Sequence, residues 1–265
     1  MWRCVLPYEK LTADVARDLD DLRSQGRLSA ATRLSTGSGQ QFNAGTLPLY
    51  FTGDLEARLV LVHLNPKQRD SVDRWSGGPV PGVKEYVADH ASFGQRMYGP
   101  TSGRRHRSAF DHKQIRFLRP FGVIDFLDEN QPDARFQNLE RAIDQKLQME
   151  VIPYGSDRFR TQGMTSELLA PHWDRLLDTI ATHDRSIVLF CGVVLGQLLQ
   201  PYVTKEHRFR LPKADGSLTQ NEARFANLRL EHEGRTLLAG LAYSYAQRGL
   251  PLGAYGAECS SRYFA

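Results

Sequence analysis

The chain has 265 residues, 41% hydrophobic and 24% charged, which is enough apolar mass for a sizeable buried core and excludes a disordered, highly charged chain. A formal net charge of +4 and a pI near 9.0 suit phosphate contacts without dictating them. No apolar run reaches the roughly 20 residues of a membrane span, and the N-terminus lacks the apolar core of a signal peptide. The 3 cysteines, Cys4, Cys191 and Cys259, are too far apart for a zinc or disulfide framework. The expectation is a soluble cytoplasmic protein with no metal and no membrane partner.

Residues 1–50 read as a helical appendage packed on an α/β domain over 51–265. Val15, Leu19 and Leu22 have helical spacing within Thr12–Gln25, and the polar, glycine-rich run Thr36–Gln41 reads as a loop. The apolar run Ala57–Val62 then breaks at His63-Leu64-Asn65-Pro66-Lys67. Proline lacks a backbone donor and holds the residue before it extended, so Asn65 is kept at the carboxyl edge of a sheet. That edge is where open α/β sheets bind ligands.

The stretch 70–118 is rich in Gly, Pro, Arg and His and reads as a long functional loop. It contains Trp75 and Phe93, candidates for an aromatic floor, and the basic run Arg104, Arg105, Arg107. That run is either a solvated surface or a phosphate-binding patch. His63, Asp111 and His112 lack a second pair at ligand spacing, so no metal site is expected. Helices are expected near 135–148, 165–182 and 193–201, and strands near 58–64, 147–153, 186–191 and 236–242. This alternation favours a parallel sheet. Between the last two strands, residues 205–213 interleave cations with apolar residues and read as a basic loop. The final strand opens into Tyr243-Ser244-Tyr245-Ala246-Gln247.

Taken in order, these strand ends resemble the uracil-DNA glycosylase superfamily, in the branches whose first motif reads Gly-x-Asn-Pro-Gly. The resemblance implies a three-layer α/β/α sandwich around a mainly parallel four-stranded sheet. It implies a cofactor-free, monomeric enzyme that acts on double-stranded DNA with a flipped nucleotide. Asn65 would orient the attacking water. Iron–sulfur branches need four thiolates, more than this chain holds. Lys67 reads as a phosphate contact rather than an amine nucleophile, so the expected activity is monofunctional and leaves an abasic site.

The chain departs from the family twice. Where uracil-acting relatives carry an asparagine that reads the base, this chain has Glu150, which either faces solvent or accepts from an exocyclic amine such as cytosine N4. Where the family has a histidine near the last strand, this chain has Tyr243, a candidate donor to the departing base. His63, Pro66, Trp75, Phe93, Glu150, Tyr154 and Ser244 are the candidate base-pocket residues. Lys67, Arg104, Arg105, Arg107, Gln247, Arg248 and Leu250 are the candidate DNA contacts. The enlarged loop and Glu150 make the chain similar to anti-phage glycosylases that remove modified, glucosylated cytosines. Two alternatives stay open: a repair glycosylase for deaminated or alkylated bases, and an inactive nucleic-acid-binding module.

Overall fold

A computed structural model describes residues 8–66, 79–101 and 109–265. Lys67, Trp75, Arg104, Arg105 and Arg107 lie outside the described residues. The chain begins with α1 (Glu9–Gln25) and α2 (Ser29–Ser38), followed by β1 (Phe51–Gly53) and β2 (Leu59–His63). Then come α3 (Val83–Ala91), α4 (Phe93–Tyr98), α5 (Ala109–Leu118), α6 (Ala134–Asp144) and β3 (Leu147–Glu150). The C-terminal part holds α7 (Ser166–Ala181), β4 (Ile187–Cys191), α8 (Val193–Leu199), β5 (Val203–Phe209), β6 (Ala223–His232), β7 (Arg235–Ala242) and α9 (Leu252–Tyr263). Among the described residues, no helix is long and apolar enough to cross a membrane.

The fold is α/β, with a mixed sheet of 7 strands in the order β1-β3-β2-β4-β7-β6-β5. This replaces the expected four-stranded sheet. Strands β2, β4 and β7 run parallel, with Leu61 beside Leu189 and Leu189 beside Gly240. β2 as far as Val62 and all of β4 are apolar because residues on both faces are buried. β6 and β5 extend this centre antiparallel from β7. The stretch expected to be a basic loop is thus the edge strand β5, and its charge is what an unpaired edge needs to resist further pairing. Its Glu206 takes hydrogen bonds from Arg208 (2.9 Å) and Arg224 (3.0 Å), so these charges are partly neutralised within the sheet. Residues 70–118 likewise are no continuous loop, since they contain α3, α4 and α5.

The chain divides into two compact units. The first comprises Met1–Phe51, Leu64–His90 and Met149–Asp184. α1 packs on α7 and α2 there through Leu11, Val15 and Leu19. The Thr165 side chain caps α7 by accepting the Leu168 N–H, which satisfies one otherwise orphaned donor.

A buried polar network fixes this unit. Asp18 is fully buried and accepts from the hydroxyls of Tyr50 (2.7 Å) and Tyr154 (2.9 Å) and from Arg17 (3.4 Å). Burial raises its carboxyl pKa, and the tyrosine hydrogen bonds and Arg17 oppose that rise. Arg175, also buried, donates to the Val151 carbonyl (2.8 Å) and to Asp14 (3.3 Å), with its guanidinium 4.7 Å from the Tyr50 ring centre. Residues from the first 50 are therefore integral to this unit's interior.

The second unit comprises Thr52–His63, Ala91–Gln148 and Arg185–Ala265. Its core gathers Leu61, Leu189, Phe225, Phe117, Tyr245 and Tyr255 around the sheet. Gly196 of α8 lies against Tyr243, and a Cβ there would stand 2.2 Å from the ring. That glycine sets how closely the end of β7 packs on the helix.

Removing the shared acceptor of the polar network strands the buried hydroxyls of Tyr50 and Tyr154. Asp18→Ala should therefore lower the unfolding free energy by about 3–5 kcal/mol. Urea unfolding would measure this, with the exposed Arg210→Gln as a near-neutral reference. A loss no larger than that of Arg210→Gln would remove Asp18 from the stability of the unit.

Candidate functional site

β2 ends at His63, and Leu64-Asn65-Pro66 leave the sheet beside the exit of β3. The Ile152 N–H donates to the Leu64 carbonyl (2.9 Å), and the Ser156 N–H donates to the Pro66 carbonyl (3.1 Å). Between these two bonds, the Asn65 side-chain nitrogen donates to Ser156 Oγ (2.7 Å), the Pro66 carbonyl (3.2 Å) and the Tyr154 carbonyl (3.4 Å). Two of those three partners are carbonyls, which only accept, so the amide orientation is fixed with nitrogen inward. Oδ1 takes no donor among the described residues, and Asn65 is only half-buried.

The structure places the other candidates of the first unit as follows. Tyr154 is a core residue whose hydroxyl is committed to Asp18, so it does not offer that hydroxyl to a ligand. It contributes its carbonyl to Asn65 instead. Glu150 is buried at 4% exposure at the last position of β3, which excludes the solvent-facing alternative. Its N–H donates to the Tyr50 carbonyl (3.3 Å), and its carbonyl accepts from Arg175 (3.4 Å). Pro66 holds the Asn65 turn through its carbonyl.

In the second unit, His63 lies in an aromatic cluster. Its ring centre is 5.5 Å from Phe110 and 5.7 Å from Tyr245, and Tyr245 stacks edge-on to Phe117 at 4.9 Å. Nε2 of His63 and the hydroxyl of Tyr245 are shielded from solvent and have no hydrogen-bond partner among the described residues. Burial, and secondarily the nearby Lys146 charge, depress the His63 pKa to about 3, so the imidazole is neutral at physiological pH. Phe110 is 44% exposed and gives this cluster an apolar face open to solvent. Sequence reasoning selected His63 but missed Phe110 and Tyr245. The only sequence signal was the aromatic run at the end of β7, from which the family's histidine position selected Tyr243.

Tyr243 is nevertheless buried, its hydroxyl also lacks a partner among the described residues, and Arg224 sits 4.2 Å above its ring. Burial, with Glu206 next, raises the Tyr243 pKa. Ser244 is structural: its hydroxyl accepts from the Arg224 N–H (3.1 Å), and its N–H donates to the Tyr255 hydroxyl (3.2 Å). Phe93 packs with Tyr98, Ile115 and Leu139 rather than presenting a free aromatic floor. Gln247, Arg248 and Leu250 do come together, lining a shallow groove of about 190 Å³ with Lys213. Leu250 packs against the core there and is no protruding wedge.

No known family model matches the chain, and no curated protein is significantly similar to it.

The buried histidines set an acid limit on the fold. His172, 8% exposed, accepts from Arg175 at 3.3 Å through Nδ1, and burial followed by the Arg175 charge lowers its pKa to about 3. A histidine with a depressed folded-state pKa favours the fold above its unfolded value of 6.5, and this contribution is lost as pH falls from 6.5 toward 3. Each such group can add up to about 1.4 kcal/mol of slope per pH unit across that window. His172→Gln keeps an acceptor for Arg175 and should show a shallower fall of urea midpoint between pH 6.5 and 4 than the wild type. Parallel curves would show that His172 titrates normally.

Proposed function

We propose that the protein is a monofunctional DNA glycosylase that hydrolyses the N-glycosidic bond of a flipped base and leaves an abasic site. One observation carries this reading: Asn65 is anchored through its nitrogen by three oxygens, which leaves Oδ1 as a rigid acceptor at the carboxyl end of a parallel strand. Such an acceptor orients a water without deprotonating it, since an amide has no useful basicity near neutral pH. The bond to the base must therefore break largely before attack. The base leaves with the bonding electron pair, C1′ carries the developing positive charge, and water adds its oxygen there and releases a proton.

A departing base also needs hydrogen-bond donors and a surface to stack on. Within the second unit, the His63, Tyr245 and Phe110 cluster has that make-up. It offers an exposed aromatic face and two polar atoms with unused hydrogen-bonding capacity. A neutral imidazole retains one N–H and one lone pair, so it can contact a base edge without the cost of burying a charge. The resemblance to anti-phage glycosylases and the burial of Glu150 favour a cytosine derivative, because a carboxylate accepts from an exocyclic amine and repels the carbonyls of uracil.

The deciding experiment is abasic-site formation on duplexes containing uracil, hypoxanthine, hydroxymethylcytosine and its glucosylated form. Asn65→Ala should bind these duplexes like the wild type and cleave its preferred one at least a hundredfold more slowly in single turnover, the scale of a lost positioning group. Equal cleavage by the variant would reduce Asn65 to a turn residue. Glu150→Gln replaces an acceptor by a donor and should cost about 1–3 kcal/mol of discrimination in favour of cytosine-derived bases. A uniform effect across the panel would take Glu150 out of base selection.

A further inference from the structure

The first unit holds a groove of about 1120 Å³ between the segment 38–45 and the segment 155–163. Its walls are tied together. The Asn43 N–H donates to the Gly155 carbonyl (2.8 Å). The Gln40 amide pairs twice with the Arg160 backbone, accepting its N–H (2.7 Å) and donating to its carbonyl (2.6 Å). Gly163, at φ +83°, lies so close to Ser38 that a Cβ would stand 2.2 Å from the Ser38 carbonyl oxygen. The groove is thus preformed.

Its chemistry is that of a phosphodiester site. Arg158 and Arg160 are both exposed in its lining, and neither guanidinium makes an ion pair among the described residues. Asp157 also lines it, so the charge there is a net +1, and Gln41 and Asn43 add amides. The aromatic side chain in the lining, Phe42, is 4% exposed and turned to the interior, where it meets Phe159 edge-on at 6.3 Å. The groove therefore offers cations and hydrogen bonds without a stacking surface, a combination that reads a nucleic-acid backbone rather than its bases. Ser156, in the same lining, is the residue whose hydroxyl holds the Asn65 amide at 2.7 Å.

We infer that this groove binds phosphates of the DNA strand, with Arg158 and Arg160 as the two contacts, so that backbone binding is built onto the loop that fixes Asn65. The inference deepens the glycosylase reading and rests on DNA being the substrate. The test is binding of a 15-base-pair duplex by fluorescence anisotropy across a salt series, comparing the wild type, R158Q/R160Q and the charge-matched control R27Q/R210Q at exposed positions elsewhere. The groove variant should lose about 1.8 units from the slope of log affinity against log salt. It should weaken all duplex sequences alike. An unchanged slope, or an equal loss in the control, would overturn the assignment. Because binding and abasic-site formation are read separately, failure of the wild type to excise any base would count against the glycosylase reading while the salt slopes still judge the groove.

Discussion

The three hydrogen bonds from the Asn65 amide nitrogen, flanked by the backbone bonds from Ile152 to Leu64 and from Ser156 to Pro66, lock the exit of β2 to the exit of β3. A strand that ends in Asn-Pro has no regular continuation, because proline can neither extend the ladder nor permit a helix at the residue before it. The polar groups freed at that break need partners. The Ile152–Ser156 loop supplies them and in doing so fixes the one side-chain oxygen that remains open.

That loop is itself held from behind. The Tyr154 hydroxyl is sunk into Asp18, and Arg175 ties the Val151 carbonyl to Asp14 on α1. Buried charges of this kind are costly unless fully paired, and a network that satisfies them specifies one arrangement of the chain. The N-terminal helix thereby supports the rear of the loop that presents Ser156 to Asn65. The same loop forms one wall of the polar groove, so the groove and the Asn65 amide share one piece of backbone.

In the second unit the constraint has the opposite sign. His63, Tyr243 and Tyr245 each keep a buried polar atom without a partner among the described residues, although buried polar groups are nearly always satisfied. Such atoms cost stability, and a site that must recognise a ligand is where that cost has a purpose. The neutral state of His63 follows from the same burial. The exposed face of Phe110 completes a cluster that is apolar in area and polar at a few points, the usual make-up of a small-molecule or base site.

The sequence by itself determined the parallel strands β2, β4 and β7, the helix α7 and the break at Asn65-Pro66. Continuous apolar runs and proline are local signals that do not depend on what packs against them. It also marked His63 and Glu150 as unusual polar residues at strand ends. Tertiary structure decided the rest. The edge strand β5 is written in charged residues because it has a solvated side, so its composition reads as a loop until its pairing with β6 is seen. Tyr154 looked like a pocket residue and became a buried anchor because its partner, Asp18, lies 136 positions earlier. Tyr245 rather than Tyr243 joined His63, because the helical turn after β7 gives different neighbours to two tyrosines that an extended strand would set on one face. Each of these outcomes depends on contacts between residues remote in sequence, which local patterns of side chains do not encode.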